Sequence, residues 1–343
     1  MQKSVEYPKK VAIIRLSAMG DIIHTAASIQ FIKAKFPDMK IVWFCDEAFA
    51  EILKYNLEID EVVSIPLRSL KQKFSFKKLK KIYKILKNSG EFDLIIDVQG
   101  LLKSALVARV IGKNIYGLDY FSAREKLAVL FYKKKFRVNC KEIAPFRFAK
   151  LLSNALGFEI SKEMLLEKKP YLFWDKSKNY ELINSYFETS KKTILLVVGA
   201  SKASKIYPKK SWIEVISHLR MYNILILAGN KKEREFAKEI EENSIAKLLP
   251  KIDLNELKYL VSKIDLLIGN DTGPTHAAWA LNKASIVLFG STPVTMMMQT
   301  SKNIAISLDP NFRACRFDKN NKNIQKIKPA LVVKKALELL GNE

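Results

Sequence analysis

Short apolar runs alternate with longer stretches of helical spacing along most of this 343-residue sequence, and this alternation restricts the fold more than any other feature. The clearest apolar runs are in the second half, at 193–198, 224–228, 265–269 and 285–289. A polar turn and a stretch with helical periodicity follow most of them. Strands that alternate with helices of about 10–15 residues indicate βαβ units joined in a parallel sheet.

The first half repeats this pattern. Strands are expected at 11–16, 41–45, 62–65, 94–98 and 114–116, and helices at 21–36, 76–87 and 102–110. We therefore predict an α/β protein with two doubly wound Rossmann-like domains, 1–173 and 174–325. A terminal segment, 326–343, is expected to form a helix that packs back towards the first domain. Two such domains that face one another place a ligand cleft outside the carboxyl ends of both sheets.

The charge is the unusual part of the composition. The sequence has 59 Lys and Arg against 35 Asp and Glu, which gives a formal net charge of +24. Such an excess indicates a polyanionic partner, either nucleic acid, an anionic membrane surface or a phosphorylated substrate. An AT-rich genome that favours lysine codons is the alternative explanation.

The basic excess is most concentrated at 66–90, which contains nine Lys or Arg and no acidic residue. Phe76, Leu79, Ile82, Tyr83 and Leu86 recur there at helical spacing and are expected to face the sheet, with the lysines on the other side. The segment therefore predicts a cationic amphipathic helix. It either docks like any surface helix or lies near anionic lipid headgroups.

Cysteines, histidines and apolar runs restrict the remaining classes. The three cysteines have no paired spacing, which predicts reduced thiols in a cytoplasmic protein. Three histidines without an HxxxH pair, and no CxxC, predict no metal site. No apolar run approaches the roughly 20 residues that span a bilayer, and the N-terminal sequence lacks the pattern of a signal peptide.

Phosphate recognition is expected at turns other than the familiar glycine-rich ones, since neither GxGxxG nor GxxxxGK[ST] occurs. "GNDTGPTHAA" at 269–278 follows an apolar strand and opens a helix. Free N–H groups at such a helix end bind phosphate, and Thr272, Gly273 and His276 add a hydroxyl, close backbone approach and an imidazole. A helix cap by Asp271 and Thr272 with a buried histidine explains these residues equally well.

Two more turns of the second half have residues suited to a nucleotide. "GASKASKIYP" at 199–208 combines small residues with Lys202 and Lys205, as suits a loop over a pyrophosphate. In "GNKKERE", Glu233 lies four residues after the glycine that ends a strand, where acidic residues bind ribose hydroxyls in nucleotide folds. An ordinary solvated lysine and an ordinary first-turn glutamate are the alternatives.

In the first half, "RLSAMGDIIHT" and "IIDVQGLLKSA" each join a strand to a helix through a turn. Asp21 stands at the head of its helix, where it either caps the helix or serves as a functional carboxylate. The polar residues from Asp97 to Lys103 are expected to point towards the cleft. The following basic stretch, 117–137, includes Arg124.

Taken together, "RLSAMGDIIHT", "DVQGLLKSA", "GLDYFSAREKLAVLFYKKK" and "GNDTGPTHAAWAL" resemble blocks of the bacterial lipopolysaccharide heptosyltransferases, glycosyltransferase family 9. Their order and spacing are kept from about residue 11 to the final helix. The resemblance implies a GT-B fold whose C-terminal domain binds the donor ADP-L-glycero-β-D-manno-heptose, with no cofactor and with metal-independent inversion at the anomeric carbon. The SAREKLAxLFY block implies transfer to the inner Kdo of Kdo-lipid A, with a later acceptor of the same core as the alternative.

Matched position by position, the resemblance implies that Asp21 is the general base. The donor-binding residues that it implies are Ser201, Lys205, Glu233, Ile252, Asp271, Thr272, Gly273 and His276. Ala200 is a further candidate, because relatives often have a second hydroxyl residue there. For the carboxylates and phosphates of the acceptor we expect Arg68, Lys71, Lys103 and Arg124.

The expected partners are the Kdo-lipid A acceptor and, through peripheral electrostatic contact, the cytoplasmic face of the inner membrane. A monomer without bound nucleic acid is expected. A basic nucleic-acid-binding protein is the remaining alternative class, motivated by the charge of +24. The sequence lacks the RRM, KH and helix-turn-helix signatures of such proteins.

Overall fold

A computed structural model of the chain describes residues 7–72, 75–312, 318 and 320–341, and of residues 71 and 72 it describes only the backbone. The chain divides into two compact units, Met1–Tyr171 and Leu172–Glu343, close to the boundary expected after residue 173. Each unit contains one six-stranded sheet.

The first unit is built on a parallel sheet. Its strands are β1 (Lys10–Ile14), β2 (Lys40–Asp46), β3 (Glu61–Ile65), β4 (Leu94–Asp97), β5 (Ile115–Leu118) and β6 (Lys134–Phe136). They pair in the order β3-β2-β1-β4-β5-β6, and every neighbouring pair is parallel. The five expected strands are confirmed. The pattern missed β6, because this short, lysine-rich edge strand has no apolar run.

Helices connect these strands. They are α1 (Met19–Ala26), α2 (Ile29–Lys35), α3 (Glu47–Ala50), α4 (Leu67–Gln72), α5 (Phe76–Lys87), α6 (Leu102–Ile111), α7 (Ala144–Leu156) and α8 (Lys162–Leu166), with a 3-10 helix at Lys126–Phe131. The single helix expected at 21–36 is divided into α1 and α2. The Thr25 hydroxyl donates to the Asp21 carbonyl at 2.7 Å, and the Ser28 N–H bonds to the Thr25 carbonyl. Side-chain bonds to the backbone compete with helical bonds in this way.

The second unit repeats the architecture. Its strands are β7 (Thr193–Val197), β8 (Asn223–Leu227), β9 (Lys247–Leu248), β10 (Leu266–Asn270), β11 (Ala284–Leu288) and β12 (Asn303–Ile306). They pair in parallel in the order β12-β11-β10-β7-β8-β9. Its helices are α9 (Glu181–Asn184), α10 (Lys209–His218), α11 (Lys231–Glu241), α12 (Leu254–Lys263), α13 (Gly273–Ala280) and α14 (Pro329–Leu340).

The terminal helix α14 belongs to the second unit. Its residues Val332, Ala336 and Leu340 are buried in the same apolar core as Ile194 and Trp212, and the helix packs against α10. The expectation that this helix packs back towards the first domain is therefore wrong. The spacing of its apolar residues predicts one buried face but does not identify the surface that covers it.

Membrane-spanning helices and the state of the cysteines were also expectations from the sequence. In the described ranges, no helix is long and apolar enough to cross a membrane. Cys45 is a buried free thiol in β2, whereas Cys140 is disulfide-bonded, so the expectation of three reduced thiols is wrong for Cys140. The cytoplasmic location stays a prediction.

Candidate functional site

In each sheet the chain connections run in opposite directions from two adjacent central strands, β1 and β4 in the first unit and β7 and β10 in the second. Ligands of open parallel sheets bind outside the carboxyl ends of strands at such a switch point. Asp21 follows β1, Lys103 follows β4, the loop 199–208 follows β7, and the turn 269–278 ends β10. The strand order therefore brings the candidate residues of each unit to the carboxyl ends of the two central strands of its own sheet.

Asp271 is the centre of a polar cluster in the second unit. Its carboxylate is 5% exposed, and Oδ2 accepts hydrogen bonds from Lys205 Nζ at 2.6 Å and from the Thr292 hydroxyl at 2.7 Å. Oδ1 lies 3.0 Å from His276 Nε2. Burial by itself raises the pKa of Asp271, but Lys205 and His276 outweigh it and hold that pKa below its ordinary value. Asp271 is thus an ionised carboxylate that keeps a cation and an imidazole in fixed positions.

Asn270, the last residue of β10, joins the two turns. Its side-chain amide donates to two carbonyls at the start of the 199–208 loop, at 2.7 and 3.3 Å, and its amide oxygen accepts from the Tyr207 N–H at 3.2 Å. These bonds hold the loop beside the turn that follows β10. Lys205 is therefore placed within reach of Asp271.

Asn270 and Thr292 were not predicted as site residues from the sequence. The signal for Asn270 is a polar side chain at the end of an apolar strand, where burial requires hydrogen-bond partners. Thr292 lies in "GSTP" after β11, the strand next to β10. Its contact with Asp271 crosses between two loops, so only the strand order reveals it.

The helix α13 begins directly after this cluster. Thr272 is its N-cap residue, yet within the described structure the Thr272 side chain accepts no capping hydrogen bond, and Pro274 has no N–H to satisfy. The positive end of the helix, including Gly273, and the ammonium of Lys205 lie at one edge of the sheet. A helix end and a cation in this arrangement suit an anionic ligand.

Glu233 lies beside the same loop. Its carboxylate oxygen Oε2 accepts from the Gly229 N–H at 2.9 Å, and with Asn230 it forms the capping box of α11. A Cβ at Gly199 would come within 2.5 Å of Glu233 Cδ, so this close approach requires glycine. Glu233 is therefore a first-turn glutamate, as the alternative interpretation of the sequence had it, and the structure adds a helix-capping role. A ribose contact by the same carboxylate stays a prediction.

The other expected donor residues lie on flanking loops. Ser201 is exposed and Ala200 half-buried in the 199–208 loop, and Ile252 is half-buried just before α12. Ser204, on the same loop, donates a hydrogen bond to Ser291 Oγ at 3.2 Å. Ser204 therefore provides a hydroxyl on this loop, where Ala200 has none.

In the first unit, Asp21 is held by a buried arginine. The Asp21 carboxylate is ion-paired with Arg15 Nη2 at 2.5 Å, and its side chain is 26% exposed. Arg15 donates to the Val98 carbonyl at 2.9 Å and stacks on the Phe148 ring at 4.4 Å. Burial lowers the pKa of Arg147, and the nearby Asp21 opposes that shift. The carboxylate is thus oriented by cations yet open to a substrate.

Asp21 is not the N-cap residue of its helix, so this geometry favours a functional carboxylate over a helix cap. The N-cap residue of α1 is Ala18, and Asp21 lies in the first turn with its carboxylate directed to Arg15. Arg15 and Arg147 were not predicted as site residues from the sequence. Arg15 carries a signal in retrospect, because an arginine that ends an apolar strand is buried only with a partner.

Lys103 lies next to the turn that carries Asp21. The Ser17 hydroxyl accepts hydrogen bonds from Lys103 Nζ at 3.1 Å and from Gln99 Nε2 at 3.3 Å. Gln99 Oε1 in turn accepts from the Leu16 N–H at 2.8 Å. The two turns that follow β1 and β4 are thereby joined.

Asp97 has a structural role. It is fully buried and accepts hydrogen bonds from the Tyr132 hydroxyl at 2.7 Å, the Ser104 hydroxyl at 2.8 Å and the N–H groups of Gln99 and Gly100. Burial raises the pKa of Asp97 against the opposite effect of these four bonds. The expectation that polar residues at the carboxyl end of β4 point to a cleft is therefore wrong for Asp97.

Arg68 and Arg124 lie at the same edge on either side of Asp21. Arg68 follows β3 and stacks on the Phe49 ring at 4.4 Å, and Arg124 follows β5 and is exposed. Both strands are two places from β1, which corresponds to about 10 Å. The backbone of Lys71 lies in α4, but its side chain is outside the described residues.

Comparison with known proteins adds to this geometry. The model of glycosyltransferase family 9 (heptosyltransferase) matches residues 79–327. Lipopolysaccharide heptosyltransferase 1 of Campylobacter coli is 35% identical, over 97% of this chain and 100% of that protein. The protein of the same name from Escherichia coli strain K12 is 26% identical, over 88% of this chain and 94% of that protein.

A solved structure shares the fold. "E. coli heptosyltransferase WaaC with ADP-2-deoxy-2-fluoro heptose" superposes on this chain with a TM-score of 0.76 at 22% identity, covering 96% of this chain and 99% of that one. This likeness and the two parallel six-stranded sheets confirm the α/β GT-B fold class predicted from the sequence.

Proposed function

The chain belongs to glycosyltransferase family 9, the heptosyltransferases, and on that premise we propose that it transfers heptose from ADP-L-glycero-β-D-manno-heptose to the inner Kdo of Kdo-lipid A. Relatives named lipopolysaccharide heptosyltransferase 1, at 35% and 26% identity, support this acceptor. The single observation that carries the proposal is the Asp21 carboxylate, 26% exposed and oriented by Arg15 at the switch point of its sheet.

The second unit is proposed to bind the donor. Lys205 and the first-turn N–H groups of α13 would contact the diphosphate, with Glu233, Ser201 and Ile252 near the nucleoside. Negative charge grows on the leaving ADP as the bond to the anomeric carbon breaks. Lys205 is already held in place by Asp271 at 2.6 Å, so it stabilises this charge without reorganisation.

Because the chain supplies this positive charge itself, we propose that the transfer is metal-independent. Among the described residues, no three His, Cys, Asp or Glu side chains form a group that could hold a metal ion. The leaving group would be neutralised by an ammonium and a helix end, the two features that meet beside Asp271.

Asp21 is the proposed general base of the first unit. It accepts the proton of the attacking Kdo hydroxyl while the hydroxyl oxygen bonds to the anomeric carbon of heptose. The electron pair of the broken bond leaves with ADP, so atoms and charge balance. A positioned base contributes about 10²–10⁴-fold to the rate. Attack from the side opposite the leaving group inverts the anomeric centre and needs only one carboxylate.

Acceptor recognition is proposed for the basic residues that flank Asp21. Arg68, Lys71, Lys103 and Arg124 would pair with the carboxylates of Kdo and the phosphates of lipid A. Guanidinium groups bind such anions in bidentate fashion, and ammonium groups bind them as point charges. We propose a monomer at the cytoplasmic face of the inner membrane, where this acceptor would be met.

The test is a transfer assay with purified ADP-heptose and Kdo-lipid A. Asp21→Ala should bind ADP-heptose with unchanged affinity and lose at least about 100-fold in kcat, because it removes the base and leaves the second unit intact. Asp38→Ala, which removes an exposed carboxylate elsewhere in the first unit, is the matched control. An unchanged kcat for Asp21→Ala would eliminate Asp21 as the base.

The same assay separates two acceptors. A member of the family that acts one step later would prefer a core already bearing one heptose. We expect turnover with Kdo-lipid A and little with the heptosylated acceptor. The reverse preference would retain heptose transfer and replace the acceptor.

A further inference from the structure

The helix α5 departs from an ordinary docked surface helix. Ile82 and Leu86 are buried against the sheet, but Leu79 and Tyr83 are 44% and 52% exposed. The expectation that all five apolar residues of this helix face the sheet is therefore wrong for Leu79, Tyr83 and the exposed Phe76. Six of the twelve residues of α5 are lysines and none is acidic.

Two neighbouring elements extend this surface. The helix α6 packs against both α5 and the 3-10 helix Lys126–Phe131. All three connect consecutive parallel strands from β3 onwards, and right-handed crossovers place such connections on one face of the sheet. Leu106 of α6 is 48% exposed, and Leu127 and Leu130 of the 3-10 helix are 61% and 79% exposed. None of the three elements contains Asp or Glu.

An apolar groove lies at the 3-10 helix. Its cavity of about 630 Å³ is lined by Tyr120, Phe121, Leu127 and Leu130, together with Lys126 and Lys135. The acidic residue that lines it is Asp119, whose carboxylate accepts the Ser122 N–H at 2.8 Å. The groove is therefore apolar inside, with ammonium groups beside it.

A general lysine excess does not explain this distribution. The helix α11 is of similar length and has four basic residues, but four acidic residues alternate with them. Its Lys231 and Lys238 pair with Glu235 and Glu242 one turn away. The lysine codon preference acts on both helices, so it does not account for the missing carboxylates of α5.

We infer that the face formed by α5, α6 and the 3-10 helix Lys126–Phe131, hereafter the cationic face, docks on an anionic lipid bilayer. Lysines would contact the lipid phosphates, and Tyr83, Leu127 and Leu130 would enter the boundary between headgroups and acyl chains. Exposed aromatic and aliphatic side chains among lysines are typical of interfacial segments, whose binding combines apolar burial with attraction to anionic lipid.

This inference deepens the proposed function and rests on it for its biological meaning. Lys103, in the first turn of α6, bonds to Ser17 in the turn that carries Asp21. The cationic face therefore adjoins the edge where the acceptor is proposed to bind. A bilayer on this face would present an amphiphilic acceptor to the base without extracting its acyl chains.

The test uses the full chain and sedimenting vesicles at about 0.1 M salt. Wild-type protein should bind vesicles of phosphatidylcholine with 30% phosphatidylglycerol and not bind pure phosphatidylcholine. The triple variant Lys77→Gln, Lys80→Gln, Lys84→Gln should bind the anionic vesicles about 100-fold more weakly, since each lysine contributes about fivefold. The matched control, Lys231→Gln, Lys232→Gln, Lys238→Gln on α11, removes the same charge and should bind like wild type.

A second variant tests the apolar part. Tyr83→Ser, Leu127→Ser, Leu130→Ser should bind anionic vesicles at low salt but be released by 0.5 M salt, whereas wild type stays bound in part. The control Leu182→Ser, Met221→Ser changes two exposed apolar residues of the second unit and should behave like wild type. Circular dichroism shows whether each variant is folded.

The outcomes separate docking from catalysis. We expect both face variants to retain transfer to an acceptor dispersed in detergent. The inference that the cationic face docks on lipid would be overturned if wild-type protein did not bind anionic vesicles. It would also be overturned if the control variants lost as much binding as the face variants. Displacement of bound vesicles by RNA at physiological salt would also overturn it, in favour of a nucleic acid partner. If wild-type protein bound anionic vesicles but did not transfer heptose to Kdo-lipid A, the proposed function would be contradicted instead.

Discussion

Replacement of Asp271 by Asn keeps the shape of the polar cluster and removes its charge. In wild type the Asp271 carboxylate lies 2.6 Å from Lys205 Nζ, and the two side chains are 5% and 17% exposed. Removing one partner of a buried ion pair costs about 3–5 kcal/mol, and the partial exposure of Lys205 reduces that cost. We therefore expect Asp271→Asn to lower the free energy of unfolding of the second unit by about 2–3 kcal/mol at pH 7.

The pH dependence follows from the depressed pKa of Asp271. A carboxylate with a folded pKa below its unfolded value contributes stability that is complete above the unfolded pKa, here 3.8, and is lost as the pH falls towards the folded value. Asparagine does not titrate. The difference between wild type and Asp271→Asn should be constant from pH 7 to 5 and shrink below pH 4.

Urea unfolding followed by hydrogen exchange of the β10 amides measures this difference for the second unit alone, which avoids assuming a single transition for the whole chain. Thr292→Val is the control, because it removes one hydrogen bond and leaves the Asp271 charge. It should destabilise the unit and retain the acid-dependent loss. A difference between wild type and Asp271→Asn that is equal at pH 7 and 3.5 would refute the role assigned to this charge.

Three further perturbations test separate parts of the chain. Gly199→Ala places a Cβ 2.5 Å from Glu233 Cδ, so we expect the Glu233 carboxylate to be displaced. The KM for the donor should then rise about tenfold with little change in kcat. An unchanged KM would contradict a nucleoside contact by Glu233. Tyr132→Phe removes one of the four donors to buried Asp97 and should lower the free energy of unfolding by about 1.5–3 kcal/mol, whereas an unchanged urea midpoint would show that this bond is not needed. Burial lowers the pKa of Lys168 to about 7, so above that pH the unfolded chain binds one more proton than the folded chain. The free energy of unfolding of wild type should therefore rise by about 2 kcal/mol from pH 7 to 8.5 relative to Lys168→Met. Parallel plots of unfolding free energy against pH for the two proteins would rule this out.

The periodicity of the sequence predicted the central strands well and only some of the edge strands. The helix α5 has the bounds that its spacing predicts, and the buried strands β1, β4, β7 and β10 were all expected. Central parallel strands need long apolar runs, because helices cover both faces. Edge strands have no such requirement, so the short strands β6 and β12 left no recognisable pattern.

Site residues divide in the same manner. Asp21, Lys205, Asp271 and His276 stand in turns whose local sequence is distinctive, and three of these four meet in one cluster. Thr292 had no local signal, because its hydrogen bond to Asp271 joins residues from different loops. The charge pattern of α5 was visible in the sequence, but the exposure of Tyr83 and Leu79 was not.

The sequence by itself determined the class of fold, the family and the turns that carry chemistry, because each depends on residues that are close along the chain. Only the tertiary structure decided that Arg15 orients Asp21, that Asp97 is buried and structural, and that α14 completes the second core. These facts depend on which strands are neighbours in a sheet and on which helix face packs against which part of the core. Contacts of that kind join residues distant in sequence, and no local pattern specifies them.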